Sequence, residues 1–217
     1  MNILLCAATP HELRGWHTQG DVYADVQDVL NNPTEHRLRA VATGVGVAPT
    51  ALRLAQLAPA YDMVVNVGLA GAYNPQLALG DVVRVAHDAL ADYGIDDNGQ
   101  FVPLHQSGLS DYAPAPMELH SPLCPHLPAV RAITVSTASG SLAIIRSHTA
   151  HWHPDIETME GAAVALACQQ SNVELLCLRA ISNRVEPRNP SAWNIALALS
   201  NLHRETALML SNLPPTP

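Results

Sequence analysis

Three side chains stand where their types and settings allow chemistry: Glu12, Glu160 and Asn183. Glu160 lies in Thr158-Met159-Glu160-Gly161-Ala162-Ala163, just ahead of the uncharged run 163–167. A helix that apolar is buried on most sides, so a carboxylate at its start is held near the core. Helix N-termini favour negative charge. Asn183 ends Arg179-Ala180-Ile181-Ser182-Asn183, the polar continuation of the apolar strand 175–178. Ligands of open α/β sheets settle at such strand ends. Glu12 follows Thr9-Pro10, a helix-start signal with Thr at the cap and Pro at the first helical position. Taken singly, each Glu reads as a first-turn residue that suits its helix dipole. Glu160 together with the amide of Asn183 and the glycine turns described next reads as a site.

The elements that must carry these groups are legible from pattern. Residues 3–8 form a short apolar run suited to a central buried strand. Residues 39–43 form a second strand, ending in Gly44-Val45-Gly46, after which Pro49 opens a helix with Ala51, Leu54, Ala55 and Ala58 on one face. A Gly-x-Gly turn between strand and helix can cradle an anion, but the third glycine of the dinucleotide fingerprint is missing. Residues 62–67 form the most strand-like segment and run into a turn at Gly68-Leu69-Ala70-Gly71. So little side chain there permits either close approach of a flat ligand to the backbone or tight packing against a helix. Leu79-Gly80-Asp81 turns into a strand over 82–85, and 132–136 forms another, followed by a hydroxyl-rich turn at 137–141 before the next helix. The last helix is expected from Ser191, with Ile195, Leu199, Leu202, Leu210 and Leu213 on or near one face and a frayed tail over 214–217. This alternation predicts one α/β domain over 1–217 with a mainly parallel or mixed sheet. Residues 92–128, proline-rich and aperiodic, are a surface excursion without a core of their own.

Composition narrows the function classes. The formal charge of −8, with 11 Lys+Arg, argues against a nucleic-acid partner. The chain has no lysine, which removes Schiff-base chemistry. Cys6, Cys124, Cys168 and Cys177 lack CxxC spacing and read as reduced cysteines, mostly small core residues. His148, His151 and His153 flank Trp152 without a convergent partner set, so they are read as loop histidines and no metal is expected. No cofactor is expected either. No signal peptide is read at the start, no stretch approaches a membrane span, and a cytoplasmic protein is expected.

In order and spacing these segments resemble the nucleoside phosphorylase-I superfamily, which implies a three-layer α/β/α fold with a central mixed, mainly parallel sheet. It also implies a small-molecule purine nucleoside as ligand and a homo-oligomer as the assembly. Asn66-Val67-Gly68-Leu69-Ala70-Gly71, then Leu79-Gly80-Asp81, is similar to the family's base-pocket strand. Met159-Glu160-Gly161 is similar to its ribose-binding signature, and Arg179–Asn183 to its purine-reading strand end. By that resemblance Ala70 and Gly71 flank the base, Met159 packs on the sugar, and Glu160 takes the ribose hydroxyls. Phosphorylases place arginine where Asn66 stands and on the loop after the first strand. This chain has Thr9-Pro10-His11-Glu12 there, which matches the carboxylate that positions water in the hydrolases. Adenine-releasing methylthioadenosine/S-adenosylhomocysteine nucleosidases carry an aspartate where Asn183 stands. Asn offers both a donor and an acceptor, which suits a 6-oxopurine. The run 181–189 with Trp193 resembles the futalosine hydrolases, whose substrate's benzoate would need a cation such as Arg184 or Arg188.

Overall fold

A computed structural model of the chain describes residues 1–111 and 113–215. Its elements run β1 (Asn2–Ala7), β2 (Gln27–Asp28), β3 (Arg37–Ala42), α1 (Val47–Leu57), β4 (Met63–Ala72), β5 (Val82–Asp88), β6 (Gly94–Asp97), β7 (Gln100–Pro103), β8 (Met117–Glu118), β9 (Ala129–Thr134), α2 (Leu142–Trp152), β10 (Ile156–Thr158), α3 (Gly161–Ser171), β11 (Glu174–Arg184) and α4 (Ile195–Ser211). Ile3 to Ala7 are wholly buried because β1 sits inside the sheet, paired in parallel with β3 on one side and β4 on the other. Both faces of such a strand need apolar residues, which is why its sequence is a continuous run rather than an alternation.

The main sheet has the order β10-β9-β5-β11-β4-β1-β3-β2, with β8 on β5. Pairings β1–β3, β1–β4, β4–β11, β5–β9 and β9–β10 are parallel, and the remaining ones are antiparallel. β10 also pairs with β4, so the far half of the sheet curls round until β4, β11, β5, β9 and β10 close on themselves. Helices α1 and α3 cover one face over Leu4, Cys6 and Val64. Helix α4 covers the other, over Leu5, Val65 and Leu176. This is the three-layer α/β/α arrangement around a mixed sheet.

Several local expectations differ from what forms. Residues 10–16 are a run of turns rather than a helix: Glu12, Leu13 and Arg14 each donate their N–H three residues back. The Glu12 carboxylate takes both the N–H and the hydroxyl of Thr9, while Leu13 and Trp16 are drawn into the core, so the segment folds down instead of propagating. Gly68–Gly71 is no turn; β4 continues through it, because β11 and β10 supply its flanking partners. In α1 the buried residues are Thr50 and Leu54, with Ala58 buried just past the helix end, and Ala55 is exposed. Helix α4 begins four residues after Ser191, capped by Asn194, whose side chain accepts the Leu197 N–H; Pro190–Ala192 is a separate single turn. His148 and His151 lie within α2 rather than in a loop, whereas His153, itself exposed, closes the helix in a left-handed conformation and begins the loop after it. The 92–128 excursion includes a small hairpin, β6–β7. Pro214 is tied by its carbonyl to His36 Nε2 at 2.9 Å, whereas Thr216 and Pro217 lie outside the described residues.

Candidate active site

Glu12 is held by three donors. Its Oε2 accepts the Thr9 N–H (2.9 Å) and the Thr9 hydroxyl (2.8 Å), and its Oε1 accepts the Leu69 N–H at 3.1 Å. The Leu69 bond crosses from the segment after β1 to the middle of β4, and it depends on Gly68, where a Cβ would come within 3.0 Å of Oε1. The carboxylate is thereby fixed at one end of a cavity with lone-pair capacity left on Oε1.

Glu160 occupies the N-cap position of α3 but does not cap it with its own side chain. Its Oε1 instead accepts the Gly46 N–H at 2.7 Å, across 114 residues of sequence. The Gly44-x-Gly46 turn does cradle an anion, and the anion is the protein's own. Gly46 adopts φ 93°, a conformation that suits glycine. Burial raises the Glu160 pKa and the nearby negative charge of Glu12 raises it further, while the Gly46 bond and the Arg179 charge pull it down; the balance is upward.

Arg179, 2% exposed, lies close enough to both carboxylates to feel their charge and was not among the residues expected at the site. Its guanidinium donates to the side-chain oxygen of Asn66 and to the carbonyls of Asn66 and Leu178. Glu12, Glu160 and Asp88 surround it electrostatically. Asp88 is likewise fully buried, takes the Thr134 hydroxyl at 2.9 Å, and is pushed up to about 7 by burial against the opposing pull of that bond and of Arg179. Asn66 thus serves as a clamp for a buried arginine. The one signal available beforehand was a charge inside an otherwise apolar strand, and buried charges are seldom unpaired.

Asn183 reaches the site through a β-bulge. β11 pairs Ile181 with Ala70 and Asn183 with Gly71, leaving Ser182 as the extra residue. Bulges re-aim side chains beside active sites, and here the Asn183 amide is turned over Gly71, whose missing Cβ would stand 3.1 Å from Asn183 Nδ2. The Ser182 hydroxyl donates to Asn183 Oδ1 at 2.7 Å, and Nδ2 donates to the Arg184 carbonyl at 2.9 Å. Each end of the amide is fixed, and each retains one further hydrogen-bonding position.

Glu12, Glu160 and Asn183 meet in one cavity of about 510 Å³, whose walls also include Ala70, Gly71, Met159, Arg184 and Arg188. That volume suits a small organic ligand. The two arginines differ. Arg184 spends both terminal nitrogens on the carbonyls of Asn74 (2.7 Å) and Pro75 (3.1 Å). Arg188 is exposed at the rim with its guanidinium 5.7 Å from the centre of the Trp193 ring. Among the wall residues not expected at the site are Ser139 and Glu157. Glu157 Oε1 accepts the Ser139 N–H at 2.8 Å, and Oε2 accepts the hydroxyls of Ser139 and of Tyr73 (2.9 Å). His148 stands behind, 3.8 Å from Glu157 Oε2. Burial alone would raise the Glu157 pKa, but the neighbouring His148 together with hydrogen bonds from Ser139 and Tyr73 brings it below the usual range.

Comparison with known proteins bears on the family and the fold. Residues 30–210 match the family model described as Phosphorylase superfamily. A futalosine hydrolase of Streptomyces coelicolor is 33% identical over 65% of this chain, and the match spans 62% of that relative's length. A futalosine hydrolase of Thermus thermophilus is 31% identical over 78% of this chain and 79% of its own. Among solved structures, the Streptococcus pneumoniae MTA/SAH nucleosidase in complex with 8-aminoadenine superposes with TM-score 0.82 at 23% identity, covering 98% of this chain and 100% of that one. The Helicobacter pylori 5′-methylthioadenosine/S-adenosylhomocysteine nucleosidase with butyl-thio-DADMe-Immucillin-A gives TM-score 0.82 at 16% identity, covering 98% and 99%. With the family model spanning most of its length, the chain belongs to the phosphorylase superfamily.

Proposed function

We propose that this chain hydrolyses the N-glycosidic bond of futalosine, releasing hypoxanthine and dehypoxanthine futalosine, a step in menaquinone biosynthesis. The observation that carries the reading is Glu12: a carboxylate pinned by Thr9 and Leu69 at the end of a cavity that also holds Glu160 and Asn183. A phosphate co-substrate needs fixed cationic donors. The arginines on this wall are Arg184, committed to backbone carbonyls, and Arg188, set out over Trp193. A carboxylate at Glu12 would repel phosphate and suits water.

As the C1′–N9 bond breaks, its electron pair passes to the purine and the sugar gains oxocarbenium character. Asn183 holds the purine as N7 takes up a proton from solvent water, through its free Nδ2 hydrogen and its Oδ1 lone pair, stabilising charge that exists mainly in the transition state. Glu160 accepts from the ribose hydroxyls, and its negative charge favours the cationic ring. Met159 packs on the sugar, with Ala70 and Gly71 beside the base. Glu12 orients the attacking water and takes its proton as the new C1′–O bond forms. Arg188 meets the benzoate of the 5′ substituent, since Arg184 is already engaged. The same reading includes a homo-oligomer, the assembly that the superfamily resemblance implies. It also includes a cytoplasmic setting, supported by four free buried cysteines among the described residues. No described helix is long and apolar enough to cross a membrane.

The test is base release from futalosine, methylthioadenosine and inosine, each with and without phosphate. Hypoxanthine from futalosine without phosphate is expected. Release of adenine from methylthioadenosine alone would point to the adenine-specific nucleosidases, and a phosphate requirement would point to a phosphorylase.

A further inference from the structure

Gly71 lies between two side chains that the mechanism above treats very differently. In the sheet it is paired on one side with Asn183 and on the other with Glu157. Directly paired residues project to the same face, so the Asn183 amide and the Glu157 carboxylate stand in one row with only bare backbone between them. Neighbouring strands lie about 4.8 Å apart, which puts the two Cα atoms roughly 10 Å apart. That gap admits a flat heterocycle lying over Gly71 with a hydrogen-bonding group at each edge.

Glu157 is equipped to accept one more hydrogen bond. It is 8% exposed yet forms part of the cavity wall. Oε2 is filled by the hydroxyls of Ser139 and Tyr73, whereas Oε1 takes the Ser139 N–H alone and keeps a lone pair. Tyr73 and His148 stand behind it, outside the cavity wall, and hold the carboxylate rigid from that side. The group presented to a ligand is an anionic acceptor.

We propose that the Glu157 carboxylate, facing Asn183 across Gly71, accepts the N1–H of a 6-oxopurine and so sets the preference for hypoxanthine over adenine. This rests on the purine-nucleoside reading of the cavity. In a 6-oxopurine, O6 and N7 face one group and the adjacent N1 carries hydrogen, which complements an amide at one edge and a carboxylate at the next. Adenine has a lone pair at N1, and two acceptors would confront each other. A buried acceptor left unpaired costs more than its bond gains, so the residue rejects adenine as well as welcoming hypoxanthine.

Calorimetric binding of free hypoxanthine and free adenine to the wild type, Glu157→Gln and Glu157→Leu tests this without requiring turnover. The wild type should favour hypoxanthine. The ratio should narrow about tenfold in Glu157→Gln, which keeps a neutral acceptor, and on the order of a hundredfold in Glu157→Leu. Thermal melting shows whether each variant is folded, and the isosteric Gln variant decides the matter if the Leu variant is not. An unchanged ratio in a folded variant overturns the assignment, even if the wild type hydrolyses futalosine. A collapsed ratio without any base release from the wild type would leave Glu157 as the base reader and remove the hydrolase reading instead.

Discussion

The carboxylate of Glu160, at the mouth of α3, accepts the backbone N–H of Gly46 at 2.7 Å, joining the turn after β3 to the start of a helix on the far side of β4. Its hydrogen-bonding support comes from backbone N–H groups, Gly46 foremost, and its charged neighbours are Arg179, which is favourable, and Glu12, which is not. Burial dominates and places its pKa above that of an ordinary glutamate. The sign follows from that. Ionised Glu160 is the form that accepts ribose hydroxyls, so nucleoside binding should weaken on acidification at a higher pH than for an exposed carboxylate. Its ionisation also opposes folding: the penalty appears as pH rises above the unfolded pKa and is complete beyond the folded one. Glu12→Gln removes a like charge and should move the acid limb of inosine binding to lower pH. Dissociation constants measured from pH 4 to 8 for wild type and variant check this, and a limb that stays in place would mean the two carboxylates are uncoupled.

Glu12→Gln should separate chemistry from binding. The amide can keep a Thr9 or Leu69 contact but cannot take a proton from water. A loss of about 10²–10⁴-fold in kcat is expected from removing a general base. Affinity for hypoxanthine should change by less than about threefold, well under one hydrogen bond's worth, because Glu12 lies at the sugar end. Single-turnover release of hypoxanthine and calorimetry on the same sample give both numbers. Retained turnover would take the base role away from this residue.

Arg179 is the counter-charge for three acidic groups, so its removal should be felt in stability before activity. Arg179→Met leaves Asp88 and Glu160 without their buried cation, and breaking such a cluster from one side costs about 3–5 kcal/mol. Burial already pushes the Asp88 pKa up to about 7. Without Arg179 both carboxyls shift further up, so the native state binds more protons than the unfolded chain over a wider range. Stability of the variant should therefore fall as pH rises from 5 to 8, and its deficit against wild type should grow. Urea midpoints at three pH values measure this; a deficit independent of pH would assign the effect to lost packing.

What could be read from the sequence was whatever announced itself locally. The apolar run of β1, the strand beginning at Met63 and the buried character of α3 are periodic or continuous patterns, and they formed as expected. Glu12, Glu160 and Asn183 stood out because polar groups at element ends are informative where apolar ones are not. The bulge at Ser182 carries no local signature: it arises because β11 must pair with Ala70 and Gly71 of β4 while Asn183 faces the cavity. The β10–β4 pairing, which brings Glu157 beside Gly71, joins segments about 85 residues apart and leaves no periodicity to detect. The turns at 10–16 imitated a helix start because Thr-Pro signals are shared by both, and only the Glu12 bonds to Thr9 and Leu69 decide between them.

Asn183→Asp tests whether the amide reads the purine. In the wild type Nδ2 donates to the Arg184 carbonyl and the Ser182 hydroxyl donates to Oδ1. A carboxylate would meet that carbonyl as two acceptors, so the substituted side chain should be driven to hold a proton on the oxygen facing it or to swing toward the cavity. Either way the site loses a fixed N–H donor for O6 and gains an acid suited to N7 and to a 6-amino group. The ratio of kcat/KM for inosine-type over adenosine-type nucleosides should fall by at least about tenfold, one charge-assisted hydrogen bond's worth. Competition assays with paired nucleosides, reading hypoxanthine against adenine in one mixture, measure the ratio directly. If the preference held in a folded Asn183→Asp protein, purine discrimination would have to come from the opposite edge of the base, from Glu157.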